Sequence, residues 1–294
     1  MNLSNARATF GLNCRATPTS SSVTGSVQVG ASNTSVALPN ANVAYAVRAI
    51  FAGSGKTFTL ATTTNTVSAA SAWTAGAAQV ETATAAGNIS ASGAGNASVT
   101  VTAAGMTGSP KTLLVPVANS DTAAIWAGKV RTALAADAAV SALFTVGGTS
   151  TAISLTRKPT QTFTVPGGTL PLYAANDATL NIALANGTST GITAAATSAN
   201  TTAGVLTAGV KIYDDATDFE GVTIPTIATK AMLFSNAGAV VNVSDGANFL
   251  IDIGGGGLAA FSGDGTSSLM NASSLIATAD ATTDLSITVI GQTV

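Results

Sequence analysis

The sequence contains no histidine, and its 294 residues include only 11 Lys and Arg and 13 Asp and Glu. Charged residues make up 8% of the chain, against roughly 25% in an ordinary soluble domain. Without His there is no imidazole to act as a base near neutral pH or to ligate a metal. The one cysteine, Cys14, excludes an intramolecular disulfide and a cysteine-based zinc site, and it reads as a small buried hydrophobe. Aromatic residues are 5%, so the core must be made of Val, Leu, Ile and Ala, and a flat cofactor would find few rings. Mean hydropathy is +0.43, yet no run approaches the roughly 18 uninterrupted apolar residues of a membrane-crossing helix. The positive value comes from Ala, Val and missing charge, and no membrane partner is expected.

The formal net charge is −2, and the cations are scattered. No basic stripe exists to neutralise a row of phosphates, so specific nucleic-acid binding is not expected. Low charge also weakens repulsion between copies and favours association. The expected partners are therefore copies of the chain itself. No export signal is read at the start, because Asn5, Arg7 and Asn13 interrupt MNLSNARATFGLNC where an apolar core would be needed. Synthesis in a cytoplasm followed by release on lysis is the expectation.

What is present is strand signal: short β-branched runs, often alternating, separated by Gly, Asn, Ser or Pro. Strands are expected at 23–29, 44–51, 57–61, 98–103, 112–117, 151–156, 179–184, 210–213, 231–235, 240–243, 249–253 and 285–290. In the last, Leu285, Ile287 and Val289 share one face, and Ser286, Thr288 and Ile290 the other. One long helix is expected over 120–136, where Ile125, Trp126, Val130, Ala133, Leu134 and Ala138 recur at helical spacing, with Ser120 or Asp121 as N-cap. Asp137 can cap a second short turn ending at Leu143. The fold class is thus mainly β, with β-sandwich-like domains and one small α+β module holding the only long helix. Four segments are expected: an N-terminal β domain (1–87), the α+β module (88–160), an ordered β connection (161–204) and a C-terminal β domain (205–294). Residues 51–61 and 173–183 also align without a gap, with Phe58 and Leu60, or Leu180 and Ile182, as inward positions.

Four patterns bear on chemistry. Gly53-Ser54-Gly55-Lys56-Thr57 imitates the end of a phosphate loop, but Ile50 stands where that pattern needs Gly and a strand follows instead of a helix. A hairpin turn is the better reading. Asp214, Asp215, Asp218 and Glu220 crowd four acids into seven residues. They form the one metal candidate, for calcium, and their spacing departs from the EF-hand loop. A solvated or inter-subunit loop is preferred. Gly254, Gly255, Gly256 and Gly257 read as a flexible turn or a close backbone approach. Ser and Thr are abundant, but no His can activate them. No catalytic residue and no cofactor site is assigned, and the chain is read as a non-enzyme.

The stretch Val99-Thr-Val-Thr-Ala-Ala-Gly-Met-Thr-Gly-Ser-Pro-Lys-Thr-Leu-Leu-Val-Pro-Val, followed by Asp121-Thr-Ala-Ala, Lys129-Val-Arg-Thr-Ala-Leu and Phe144-Thr-Val-Gly-Gly, resembles a small α+β module that recurs in structural proteins of tailed bacteriophages. Asp218-Phe-Glu-Gly-Val-Thr-Ile-Pro225 and the closing Thr288-Val-Ile-Gly291 are similar to the ends of phage virion proteins. The two resemblances cover about a quarter and about a third of the chain. They imply a virion location and other virion proteins, of capsid or tail, as further partners. An accessory surface role, as head decoration or fibre, is preferred over a tail tube because the expected strands are short. A host-binding adhesin is the third reading.

Overall fold

The computed structural model describes residues 24–29, 32–37, 42–60, 67–69, 72–165, 167–214, 227–245, 248–262 and 275–293. In chain order the strands are β1 Thr24–Val29, β2 Ser32–Ala37, β3 Asn42–Ala52, β4 Lys56–Leu60, β5 Val67–Ala69, β6 Val80–Thr84, β7 Gly95–Thr102 and β8 Lys111–Val117. Helices α1 Ala123–Ala136 and α2 Ala138–Leu143 follow. The chain then forms β9 Phe144–Gly147, β10 Ala152–Arg157, β11 Gln161–Val165, β12 Gly168–Leu172, β13 Asn181–Asn186 and β14 Ala199–Thr202. The remaining strands are β15 Gly209–Asp214, β16 Ile227–Asn236, β17 Val241–Ser244, β18 Phe249–Ile253, β19 Leu258–Ser262, β20 Leu275–Ala279 and β21 Thr283–Thr293. The protein is mainly β, and every strand pairing among the described residues is antiparallel. All twelve expected strands are present, with ends displaced by a few residues.

The chain divides into a discontinuous unit, Met1–Trp73 with Ala208–Val294, and an inserted unit, Thr74–Thr207. The boundaries expected at 87, 160 and 204 do not coincide with this division. Residues 161–204, expected as a connection, lie within the inserted unit.

In the discontinuous unit two five-stranded sheets, ordered β15-β3-β21-β16-β19 and β18-β17-β20-β4-β5, face each other. Alternation puts one side chain in two inward. Val47, Ala49 and Phe51 of β3, with Phe234, Leu285 and Ile287, meet Phe58, Leu60, Val241, Val243 and Ala277 from the opposite sheet in one buried cluster. Phe51 and Phe58 bring their ring centroids to 5.6 Å. This is a β-sandwich. Its first sheet is built on strands of 10 and 11 residues, β16, β3 and β21, which corrects the expectation of uniformly short strands. Residues 53–57 are not a hairpin: β3 and β4 belong to different sheets, and the turn between them carries the chain across the sandwich. Gly53 (φ +113°) and Gly55 (φ +69°) take left-handed conformations there, which glycine adopts without strain. The Gly55 N–H donates to the Ala279 carbonyl at 2.8 Å.

The inserted unit combines a four-stranded sheet, β14-β6-β10-β9, with a three-stranded sheet, β13-β7-β8. Helix α1 packs on β7 and β8 of one sheet and on β9 and β10 of the other. Trp126, Ala127, Val130 and Leu134 form its buried stripe, set among Val99, Val101, Val115, Ile153, Leu155 and Ile182. Ile125, expected on this stripe, is 50% exposed, and Ala138 belongs to α2. The N-cap is Thr122, whose hydroxyl accepts from the Ile125 N–H, one residue later than expected. Asp137 caps α2 as expected, accepting from the N–H groups of Ala139 and Val140. The aligned segments 51–61 and 173–183 each lead from a strand of one sheet to a strand of another, and Phe58, Leu60, Leu180 and Ile182 are all buried.

Trp126 is the largest side chain in this core, 1% exposed, with its Nε1 donating to the Gly87 carbonyl at 2.9 Å. Trp126→Ala removes both packing and a hydrogen bond, and it should destabilise the inserted unit by about 3–5 kcal/mol in a urea titration. A loss below about 1 kcal/mol would contradict this placement.

Candidate functional site

Gly254, Gly255, Gly256 and Gly257 link β18 to β19 and do not form an open loop. Buried Asn236, at the end of β16, holds them from inside. Its Nδ2 donates to the carbonyls of Ala239 and Ile253, the latter at 2.7 Å. Its Oδ1 accepts from the Thr283 hydroxyl at 2.7 Å. Its backbone N–H donates to the Gly257 carbonyl, and its carbonyl accepts from the Gly256 N–H at 2.7 Å. A Cβ on Gly255 would sit 2.0 Å from the Gly238 carbonyl oxygen. The glycine run thus reflects close backbone approach, and one carboxamide satisfies backbone groups that burial would otherwise strand.

Of the acid cluster, only the backbone of Asp214 is described, at the end of β15. Asp215, Asp218 and Glu220 lie outside the described residues, and so does Cys14. Among the described residues no three His, Cys, Asp or Glu side chains group as a metal site would require. Lys56, at the end of the phosphate-loop imitation, opens strand β4. The loop after β13 holds a further match: Gly187-Thr188-Ser189-Thr190-Gly191 has the G-x-S-x-G spacing of a nucleophile elbow. An elbow sits between a strand and a helix, and no helix follows here. Ser189 is buried, and the N–H groups of Gly187, Thr188 and Ser189 converge on the Asn96 carbonyl at 2.9 to 3.1 Å. That arrangement ties the loop to the start of β7.

The inserted unit has four acids, and each has structural partners. Asp177 lies between sheets. Its carboxylate accepts from the Ala104 N–H at 2.7 Å and from the Thr179 N–H and hydroxyl at 2.9 and 2.6 Å. Arg157 approaches it at 3.2 Å. The Gln79 carboxamide pairs with the Asp177 backbone through both its oxygen and its nitrogen. Asp121 meets Lys129 at 2.5 Å and accepts from the Ala118 N–H. Asp137 meets Lys111 at 2.9 Å in addition to capping α2. Glu81, 3% exposed, accepts from the Ser198 hydroxyl at 2.5 Å. Sequence patterns point to Asp137 as a cap and to Asp121 as a candidate N-cap, but not to Glu81 or Asp177, whose partners lie up to 117 residues away.

Burial alone would raise the Asp177 carboxyl, but the Thr179 hydroxyl, the N–H groups of Ala104 and Thr179, and the Arg157 charge hold it below its ordinary range. Asp121 is likewise raised by burial and lowered further by Lys129 and the Ala118 N–H. Asp137 is lowered first by its hydrogen bond from Lys111, against a smaller effect of burial. A depressed native value means that the unfolded chain binds more protons as pH falls. The stability these three groups supply is therefore complete above about pH 4, the unfolded carboxylate range, and is lost below it. With no His in the chain, Trp126 fluorescence melts of the fragment 74–207 should give a melting temperature that is level between about pH 5 and 7 and falls steeply below about pH 4. A melting temperature constant down to pH 2.5 would contradict the assignment.

No protein-family model, no curated protein and no solved structure matches the chain.

Proposed function

We propose that this protein is a non-enzymatic structural component of a tailed-phage virion, an accessory surface protein of the head-decoration or fibre kind. The observation that carries the reading is how the inserted unit uses its polar side chains. Glu81, Asp121, Asp137 and Asp177 all hold backbone groups, hydroxyls or cations in place, which is how a chain with few charges stiffens a β-rich body. The segment that resembles the recurrent phage module forms β7, β8, α1, α2 and β9 within one core. That supports an insert which stands on its own, as suits a surface protein. Its partners are then copies of itself and other virion proteins, and its place is the particle.

One observation favours a tail tube as the second reading: β3, β16 and β21 are long enough, at 10 to 11 residues, to form a continuous wall between neighbours. No helix among the described residues is long and apolar enough to cross a membrane. Immunogold labelling of purified particles, with antibody raised against residues 74–207, tests both readings. Many labels per particle over the head or its fibres are expected. Label confined to the tail shaft would favour the tube, and particles free of label would overturn the virion role.

A further inference from the structure

Strand β19 is one edge of the long-stranded sheet. Its inner neighbour β16 pairs with it in unbroken register, from Ala231 opposite Ser262 to Ser235 opposite Leu258. On its other side no described strand is bonded to it. Unpaired edges invite pairing with another chain, and proteins guard them with charge, proline, irregular pairing or shortness. The other three edges of the two sandwich sheets carry such guards. Strand β15 has Lys211 and Asp214, β18 has Asp252 and an irregular register, and β5 is only three residues long. Strand β19 reads Leu-Ala-Ala-Phe-Ser over five residues, with no charge and no proline. Leu258, at its start, is 68% exposed, the most exposed large apolar side chain among the described residues.

We propose that β19 is an assembly edge and that its occupant is β19 of a second copy, paired antiparallel about a two-fold axis. This rests on the assembly reading given under the proposed function and names the surface that serves it. Centred on Ala260, the pairing sets Leu258 opposite Ser262 of the other copy and Ala260 opposite its own counterpart. The two first sheets then join into one sheet of ten strands. A strand without charge suits self-pairing, because the residue on the two-fold axis faces its own counterpart and a charge there would face its like. The exposed Leu258 side chains lie at the two ends of the pair and are covered in part by the facing strand. The net charge of −2 adds little long-range repulsion between copies.

The test uses the full-length chain in sedimentation equilibrium over a range of concentrations, with circular dichroism and melting temperature as checks on the fold. Ala260 is exposed, so Ala260→Lys leaves the sandwich core untouched while setting two ammonium groups face to face across the pair. Self-association weaker by about tenfold or more, at an unchanged melting temperature, is expected. A second variant covers the case in which the lysine disturbs folding. In a Cys14→Ser background, Ala260→Cys puts two thiols about 4.5–5.5 Å apart at their Cα atoms across the axis, within disulfide range. Diamide should then give a covalent dimer. If the unaltered protein associates but Ala260→Lys associates equally well and the cysteine variant forms no dimer, the edge pairing is wrong and the assembly reading stands. If the unaltered protein remains a monomer at every concentration, both fall.

Discussion

Apolar burial between facing sheets is the constraint on which everything else in this protein depends. With so few charged residues and so few aromatics, the core is a mosaic of Val, Ile, Leu, Ala and a handful of Phe, two of which, Phe51 and Phe58, span the sandwich. Each contributes modestly, at roughly 25 cal/mol per Å² of apolar surface removed from water. Stability therefore comes from regular alternation over many strands. A long register such as that of β3 with β21, from Thr283 opposite Phe51 to Gln292 opposite Asn42, keeps every inward position inward; a slip of one residue would turn Leu285 and Ile287 to water.

Most of the buried polar groups among the described residues are placed where strands end and the chain must turn. Asn236 closes the end of the sandwich by satisfying carbonyls from two turns and the hydroxyl of Thr283. Asp177 and Gln79 do the same between the sheets of the inserted unit. Such fully bonded groups hold each turn to one conformation. Glycine completes the arrangement: Gly255 against the Gly238 carbonyl, and Gly87 against that of Gly191, allow backbones to meet where a Cβ would collide.

Much of the secondary structure could be read from the sequence, because alternation and helical spacing are local signals. The strand 285–290 and the stripe of Trp126, Val130 and Leu134 are examples, and the cap at Asp137 is another. What stayed hidden was non-local. The turn at Gly53 looks like a hairpin from its glycines, and only the pairing of β4 with β20, more than two hundred residues along the chain, makes it a crossing between sheets. The insertion of Thr74–Thr207 into a sandwich made from both ends of the chain has no compositional mark at either crossing. Ile125 failed as a core position because, at about 100° of turn per residue, it falls on the face opposite the stripe of Trp126, Val130 and Leu134. Of the candidate sites, the glycine run carried a readable signal of close approach. The Asn236 and Asp177 networks did not, since an isolated Asn, Gln or Asp carries no local mark of its role until the fold brings its partners to it.

The central claim is that two separate hydrophobic clusters divide this chain into a discontinuous sandwich and an insert that is complete in itself. The two ends of the insert run side by side, joined by the reciprocal hydrogen bonds of Ala77 and Val205 at 3.0 Å, so excision leaves its termini close together. Differential scanning calorimetry of residues 74–207 expressed alone, compared with the full-length protein, addresses this most directly. The account predicts a single cooperative transition for the fragment, coinciding with one of the transitions of the full chain. A fragment that melts without a cooperative transition, or that unfolds only together with the sandwich in the intact protein, would contradict it.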